Sequence, residues 1–227
     1  MNRLISIFAC LCIMSSIVGG RELHLKTTSF EDYIPLLENA GFHLESFDIS
    51  DLADSSYYIQ LQIREYEAGK TDFKTNMIPY ALYNRTMASE FKDTIIPAEE
   101  MAVPEKGIYT LGRKVNIGLR SVTDSTKAVL MDIPKIGTMP PLSLKMRKVH
   151  NPDTGDDIMI EYNTRPFKVD SIKINDFTPL VWAGSFWWDD DFKIFRSCGE
   201  KEISSLSSEI VDNSPHYYVI GIVVTPK

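Results

Sequence analysis

The chain has 227 residues, a formal net charge of −7 and 44% hydrophobic residues, which suits one β-rich domain or two small ones. A chain of this size buries roughly 70% of its unfolded surface, so its core needs no disulfide or metal. Acids outnumber bases, and no basic run exceeds two residues. This argues against nucleic acid and anionic membrane surfaces as partners, because both require clustered lysine and arginine.

Residues 1–20 have the pattern of a secretory signal peptide. A positive start at Arg3 precedes an apolar run over 4–14, and small residues follow up to Gly20. The run is too short for a membrane-spanning helix, which needs about 20 residues. We therefore expect cleavage after Gly20, a mature domain over 21–227, and no membrane-spanning segment after cleavage.

The small number of cysteines is typical of a secreted protein from a bacterium. Cys10 and Cys12 lie in the predicted signal, so the mature chain keeps only Cys198 and has no intramolecular disulfide. Ala9-Cys10 weakly resembles a lipoprotein box, but the apolar run continues past it. A soluble mature protein is therefore favoured, and a lipid anchor is the alternative.

The first predicted element of the mature chain is a short helix over 29–40. Ser29 suits the N-cap position, acids occupy the first turn, and apolar residues at helical spacing lead to Gly41. Pro35 weakens the pattern, because an interior proline removes a hydrogen bond. After Gly41 the apolar period changes to two, which is typical of strands.

The rest of the chain favours strands separated by turns. The clearest strand runs over 57–66, where Ile59, Leu61 and Ile63 share one face. An Asn-Pro-Asp-Thr-Gly turn predicts a β-hairpin over 142–162. Further strands are predicted at 128–133, 167–174, 179–183, 192–196 and 216–225. The pattern predicts a mainly β fold, a β-sandwich of about ten antiparallel strands with one short N-terminal helix. The irregular segment 84–106 is the best candidate boundary if two subdomains exist.

Aromatic and acidic side chains cluster late in the chain and form the candidate ligand-binding site. An aromatic face can stack on a sugar ring while carboxylates accept hydrogen bonds from its hydroxyls. In an extended stretch, Trp187 and Trp188 point to opposite faces, so only one can contact a ligand. A core tryptophan beside a solvated turn is the competing interpretation, and a calcium site fits worse because the acids lack calcium-loop spacing. The predicted residues are Trp182, Trp187, Trp188, Asp189, Asp190 and Asp191.

Other chemistry-bearing residues give weaker signals. Cys198 needs a base to act as a nucleophile, and His216 is the candidate, but a lone cysteine is more often a small buried apolar residue. The four histidines show no metal-ligand spacing, and no phosphate loop, dinucleotide fold or serine elbow occurs. We therefore expect no catalytic residue, cofactor or metal. Asn84 begins a glycosylation sequon, which is a chance match in a bacterial protein.

Three stretches are distinctive when taken together. They are Phe-Asp-Ile-Ser at 47–50, Arg-Glu-Tyr-Glu at 64–67, and Cys-Gly-Glu at 198–200 followed by 215–221. They resemble an uncharacterised family of secreted proteins from Bacteroides-type gut bacteria. The resemblance covers most of the mature chain and implies a Gram-negative envelope setting, with export across the inner membrane to the periplasm or cell surface. The family has no assigned activity, so no catalytic residue is carried over.

The sequence therefore favours a secreted non-enzymatic envelope protein, a β-sandwich module that binds a glycan or an envelope protein partner. One alternative is a hydrolase acting on envelope or dietary polymers, which requires converging acids in a cleft or Cys198 beside His216. A second alternative is a structural or assembly subunit of a surface appendage. The sequence leaves the ligand and the oligomeric state open.

Overall fold

The structure is a computed structural model that describes residues 27, 29–68, 70 and 72–227. The predicted signal peptide, residues 1–20, lies outside the described residues. Residues 35–227 form one compact unit, which contains the segment 84–106, and the described residues up to 34 belong to a separate N-terminal unit. In the described part of the chain, no helix has the length and apolar character needed to cross a membrane.

The described residues are mainly β, which confirms the predicted class, and their ladders are antiparallel. Seventeen strands occur in these residues, and most have two to four residues, too few for an alternating pattern to reveal. The strands are β1 (His43–Asp48), β2 (Tyr57–Glu67), β3 (Lys74–Met77), β4 (Leu82–Tyr83), β5 (Arg85–Met87), β6 (Ile108–Leu111), β7 (Lys114–Thr123), β8 (Thr126–Ile133), β9 (Gly137–Thr138), β10 (Leu142–Lys145), β11 (Val149–His150), β12 (Asp157–Ile158), β13 (Asn163–Pro166), β14 (Phe177–Gly184), β15 (Trp187–Asp189), β16 (Ile194–Arg196) and β17 (His216–Pro226).

Among the residues that the structure describes, helices are few and short. The predicted helix at 29–40 is present as two pieces, a 3-10 turn at Phe30–Asp32 and the α-helix α1 at Ile34–Asn39. Pro35 lies in the first turn of α1, where a backbone N–H has no helical partner to lose. A second α-helix, α2, covers Glu209–Asn213. The remaining 3-10 turns are Ser50–Asp54, Ala88–Glu90, Ala98–Glu100 and Pro104–Lys106.

Two larger sheets pack face to face around the first core. One sheet has the order β1-β7-β8-β10, with β9 also paired to β8, and the other has the order β13-β14-β17-β2-β3, with β4 also paired to β2. The inward faces of both sheets contribute to one buried cluster. Alternation between the two faces is clearest on β2, where Ile59, Leu61 and Ile63 are buried and their neighbours are half-buried. The edge strands are therefore β1 and β10 in the one sheet and β13 and β3 in the other.

A second core covers the outer face of the β14–β17 pair. Trp182 on β14 and Val219 on β17 point away from the first core and pack with Ile210 of α2 and with Phe167. β14 is therefore buried on both faces, and its sequence shows a continuous apolar run instead of alternation.

Two strand predictions are wrong. The hairpin predicted at 142–162 is limited to β11 and β12, because β10 pairs with β8 instead and places Leu142 beside Val129 at the first core. The strand predicted at 167–174 is absent, and the strand lies just before it at Asn163–Pro166. Within 167–174 the backbone makes only isolated bridges, from Phe167 to Ile203 and from Ile174 to Val224, and the Phe167 side chain packs in the second core.

Candidate functional site

Polar side chains interrupt the inward face of the β2–β17 pair at one end of the sandwich. On β2, the buried residues Ile59 to Ile63 are followed on the same face by Glu65 and Glu67. On β17, His216 and Tyr218 precede the buried Ile220 on the matching face. The register pairs His216 with Glu67 and Tyr218 with Glu65. Four polar side chains therefore meet where an apolar core would otherwise continue.

A chain of hydrogen bonds joins four residues at this end. The Nε2 atom of His216 lies 2.9 Å from Glu65 Oε1, and its Nδ1 atom lies 2.5 Å from Tyr162 Oη. Tyr162 Oη also accepts the backbone N–H of Arg147 at 2.9 Å. Because a carboxylate can only accept, His216 donates from Nε2 to Glu65, and its neutral ring accepts the Tyr162 hydroxyl hydrogen at Nδ1.

Burial keeps the two inner members of this chain uncharged. His216 is 3% exposed and Tyr162 is 2% exposed. Burial lowers the pKa of His216 and outweighs the opposing effect of Glu65, so the imidazole is neutral at pH 7. Burial also raises the pKa of Tyr162. Tyr162 is thus a hydrogen-bond donor and not an activated nucleophile.

The two carboxylates at the outer end stay ionised. Burial alone would raise the pKa of Glu65, but hydrogen bonds from His216 and Arg147 outweigh it and lower the pKa. Lys70 pairs with Glu67 and lowers its pKa. An acid–base pair for hydrolysis needs two groups whose pKa values are pushed apart. Both pKa values are lowered here, so neither carboxyl group is shifted toward the protonated form that a general acid uses.

A cleft of about 620 Å³ opens beside Glu65, between the edge strands β3 and β10. Register places Lys74 opposite Glu65 and Asn76 opposite Ile63, so both β3 side chains share the inward face of β2. Arg147 and Tyr218 line the same cleft, and burial raises the pKa of Tyr218 to about 12. The cleft therefore offers a carboxylate, an ammonium, an amide, a guanidinium and a phenol.

The site also brings together three side chains that can hold a metal ion. Ligand atoms of Glu65, Glu67 and His216 all lie within 4.8 Å of one another. The sequence led us to expect no metal because the histidines show no ligand spacing. His216 and Glu65 are 151 residues apart, and only the pairing of β2 with β17 makes them neighbours.

The structure places the three predicted tryptophans in different surroundings. Trp182 is fully buried in the second core, and Trp187 is 8% exposed in the same cluster. Trp188 points to the other face of β15, is half-buried and packs edge-on against Phe195 with ring centres 5.0 Å apart. Trp187 and Trp188 therefore point to opposite faces, as expected for adjacent residues in an extended stretch.

The three predicted aspartates form the turn between β15 and β16. Asp189 accepts a hydrogen bond of 2.5 Å from Arg196 and two more from the backbone of 191 and 192. Asp190 accepts the indole N–H of Trp188 at 3.2 Å and, like Asp191, is exposed. Ligand binding at this stretch stays a prediction, and its accessible part is Trp188 with the aspartates.

Two other residues singled out in the sequence have clear positions. Cys198 is exposed, and both ring nitrogens of His216 are engaged by Tyr162 and Glu65, which leaves neither for a thiol. Asn84 is fully buried, and its amide donates to the carbonyl oxygens of Leu52 and Ser55. The sequon at Asn84 is therefore closed to glycosylation in the folded protein.

Four residues of this site were not predicted from the sequence, namely Glu65, Glu67, Arg147 and Tyr162. One signal was present in the pattern, because Glu65 and Glu67 continue the apolar face of the predicted 57–66 strand. Acids on a core-facing stripe indicate either the end of the core or a site. Two of the distinctive stretches, 64–67 and 215–221, are also paired side by side in the β2–β17 ladder.

Comparisons with known proteins give a family without an activity. No curated protein and no solved structure matches the chain. One family model, described as Domain of unknown function (DUF5041), matches residues 12–226. This match spans nearly the whole chain and agrees with the expectation of an uncharacterised family. The chain belongs to the family described as Domain of unknown function (DUF5041).

Proposed function

We propose that the protein is a non-enzymatic glycan-binding module of the bacterial envelope and that the glycan binds in the β3–β10 cleft. The predicted signal peptide and the resemblance to secreted proteins of gut bacteria support export to the periplasm or cell surface. The observation that carries the binding proposal is the set of polar groups that line the cleft, which are Glu65, Lys74, Asn76 and Arg147.

These groups suit sugar hydroxyls. Each hydroxyl is both a donor and an acceptor, and the cleft supplies an acceptor at Glu65, donors at Lys74 and Arg147, and both at Asn76. Beneath these groups, Ile63 and Leu144 belong to the buried first core, so the polar side chains above them carry the binding proposal. A volume of about 620 Å³ lies within the usual range for small-ligand sites.

The hydrogen-bond chain supports binding more than catalysis. Tyr162 and His216 fix the carboxylate of Glu65 from behind, so its position does not depend on the ligand. Preformed groups lose little entropy when a ligand binds. Catalysis by the acids would need a raised pKa on one of them, and the pKa values of Glu65 and Glu67 are both lowered.

The test is a glycan-array screen of the protein purified after expression of the full chain. We expect a specific hit that weakens about tenfold in Asn76→Ala and in Lys74→Ala, since each variant loses a polar contact to the ligand. Met77→Ala is the matched control, because Met77 lies on the same strand but faces away from the cleft. It should leave the affinity unchanged.

Three outcomes contradict the proposal. A blank array with a folded protein favours an envelope protein partner or an assembly role. A hit that is lost in Trp188→Ala but kept in Asn76→Ala moves the site to the β15–β16 turn. Release of sugar from a bound oligosaccharide by the wild-type protein favours the hydrolase alternative.

A further inference from the structure

The ligand atoms of Glu65, Glu67 and His216 are held together by two adjacent strands. Glu67 and His216 are cross-strand partners, and Glu65 lies two residues from Glu67 on the same face. β2 and β17 lie inside their sheet, flanked by β3 and β14, so the three side chains start from a rigid scaffold. We propose that these residues bind one divalent ion of the zinc class. This goes beyond glycan binding and does not depend on it.

A positive group already lies between the two carboxylates. Arg147 Nη2 is 3.2 Å from Glu65 Oε1 and 3.3 Å from Glu67 Oε1. The space between Glu65 and Glu67 therefore already holds a cationic group, and the two carboxylates do not repel each other when no metal ion is bound. The Arg147 side chain is 52% exposed, so it can turn toward solvent when an ion arrives. The positive charge of the metal ion then takes the place of the Arg147 guanidinium beside the two carboxylates.

The donor set selects the class of ion. An imidazole nitrogen suits Zn²⁺ and similar transition metals, and Zn²⁺ also accepts carboxylate oxygens as ligands. Ca²⁺ and Mg²⁺ prefer oxygen ligands alone and larger or octahedral shells. Three protein ligands leave a coordination position for water, and Glu65 faces the cleft, where that water can exchange.

Tyr162 supplies the outer support that a metal-binding histidine needs. Such a histidine usually makes a second hydrogen bond through its other nitrogen, which fixes the ring. His216 has such a bond at Nδ1, which accepts the hydroxyl hydrogen of Tyr162 in the metal-free protein. On metal binding at Nε2, that nitrogen gives its proton to solvent and Nδ1 takes one up. Nδ1 then donates to Tyr162 Oη, and the hydroxyl hydrogen of Tyr162 turns away from His216. The net charge of the imidazole does not change.

The experiment is a Zn²⁺ titration by calorimetry of the full-chain product, expressed without a histidine tag and stripped with a chelator. We expect saturation at one ion per chain. Co²⁺ should give visible absorption bands when it occupies the same position, and Ca²⁺ should not compete. Nitrogen NMR should show the change at His216 Nε2 when Zn²⁺ is added.

Variants decide whether the ion occupies the proposed site. Glu67→Gln should weaken Zn²⁺ binding at least about tenfold, and Tyr162→Phe should weaken it about tenfold. Arg147→Met should strengthen binding about fivefold, because it removes a competing charge close to the ion. Glu90→Gln is the matched control, since Glu90 is an exposed glutamate that pairs with Lys227 elsewhere. Glu67 is partly exposed at a strand end, so its variant should fold.

Two results overturn the proposal. One is the absence of saturable binding by the wild-type protein. The other is equal affinity in Glu67→Gln and wild type, which places the ion at other histidines. Because the titration contains no sugar, it is independent of the glycan array. The glycan array is then read once with a chelator and once with Zn²⁺. The comparison shows whether glycan binding requires the ion, and so separates the two proposals.

Discussion

Tyr162 and His216 lie 54 residues apart in the chain, and their Oη and Nδ1 atoms are 2.5 Å apart at the polar end of the first core. Tyr162 immediately precedes β13, an edge strand of the sheet that contains β17. The bond therefore joins the segment before one strand to the start of another. It also sets the angle of the ring that holds Glu65.

Tyr162→Phe should destabilise the protein by about 2 kcal/mol. The change leaves His216 Nδ1 and the backbone N–H of Arg147 without the partner that they now share, and an unpaired buried polar group costs about 1–3 kcal/mol. The midpoint of urea unfolding, followed by circular dichroism, measures this loss.

Tyr217→Phe is the control for the loss of a hydroxyl. Tyr217 stacks on Tyr66 with ring centres 4.9 Å apart, and its hydroxyl makes no hydrogen bond within the described residues. Its variant should stay within about 0.5 kcal/mol of wild type. Equal losses in the two variants would mean that the Tyr162 hydroxyl has no special role.

Glu161→Gln should destabilise the protein by about 2 kcal/mol at neutral pH. Lys127 Nζ donates to Glu161 Oε1 at 2.6 Å, and the Lys127 side chain is fully buried. Removing the partner of a buried charge is costly because the charge stays desolvated. Adding Lys127→Met to this variant should recover most of the loss. Glu90→Gln, which breaks an exposed pair with Lys227, should have little effect.

The effect of Glu161 should disappear in acid. Burial acts to raise the pKa of Glu161, but hydrogen bonds from Lys127 and Ser121 outweigh it and lower the pKa below its ordinary value of 4.5. A lowered pKa contributes stability that is present above the unfolded value and is lost as the pH falls through the folded value. Urea midpoints of wild type and Glu161→Gln should therefore converge below about pH 4.5. A constant gap down to low pH would contradict this.

The sequence predicts those strands in which one face is apolar and the other is polar. β2 was recognised because Ile59, Leu61 and Ile63 alternate with polar residues, and its partner β17 was recognised as well. The hairpin at 142–162 was wrong because the turn signal at 151–155 sets only the local pair β11–β12. Which distant strand β10 joins depends on the packing of Leu142 and Leu144 in the first core, and no local pattern contains that information.

The candidate site was hidden for a similar reason. Glu65 and His216 are far apart in the chain, and each looks ordinary in its own strand. Their proximity follows from the register of β17 on β2, which is set by the long apolar ladder from Ile59 to Ile63. The tryptophans were easy to see because they are close in sequence, but closeness in sequence does not decide exposure.

Gly221→Ala should destabilise the protein by about 2–3 kcal/mol. A Cβ atom at Gly221 would lie 2.2 Å from the Thr178 carbonyl oxygen and 2.7 Å from the Phe177 ring. The β14–β17 ladder is irregular at this point, so the backbones approach too closely for any side chain. Thermal unfolding measures the loss. At Gly118 on β7, the nearest atoms to a Cβ are 3.8 Å away, and Gly118→Ala should be close to neutral or stabilising.

Trp187→Ala and Trp188→Ala should differ sharply in stability. Trp187 is buried in the second core, and its truncation should cost about 3–5 kcal/mol. Trp188 is half-buried with one edge-on aromatic contact, and its truncation should cost about 1 kcal/mol. Urea unfolding separates these values, and similar losses would mean that β15 presents its faces differently.

The same pair of variants tests the binding site predicted from the sequence. Trp188→Ala keeps the fold, so any loss of glycan affinity in it reports direct contact at the β15–β16 turn. Trp187→Ala removes a buried side chain from the second core, so its effect on glycan binding should be indirect. That effect should disappear under conditions in which the variant is fully folded. If the glycan binds at the β3–β10 cleft, Trp188→Ala should bind as wild type does while Asn76→Ala binds about tenfold more weakly. The reverse order assigns the ligand to Trp188.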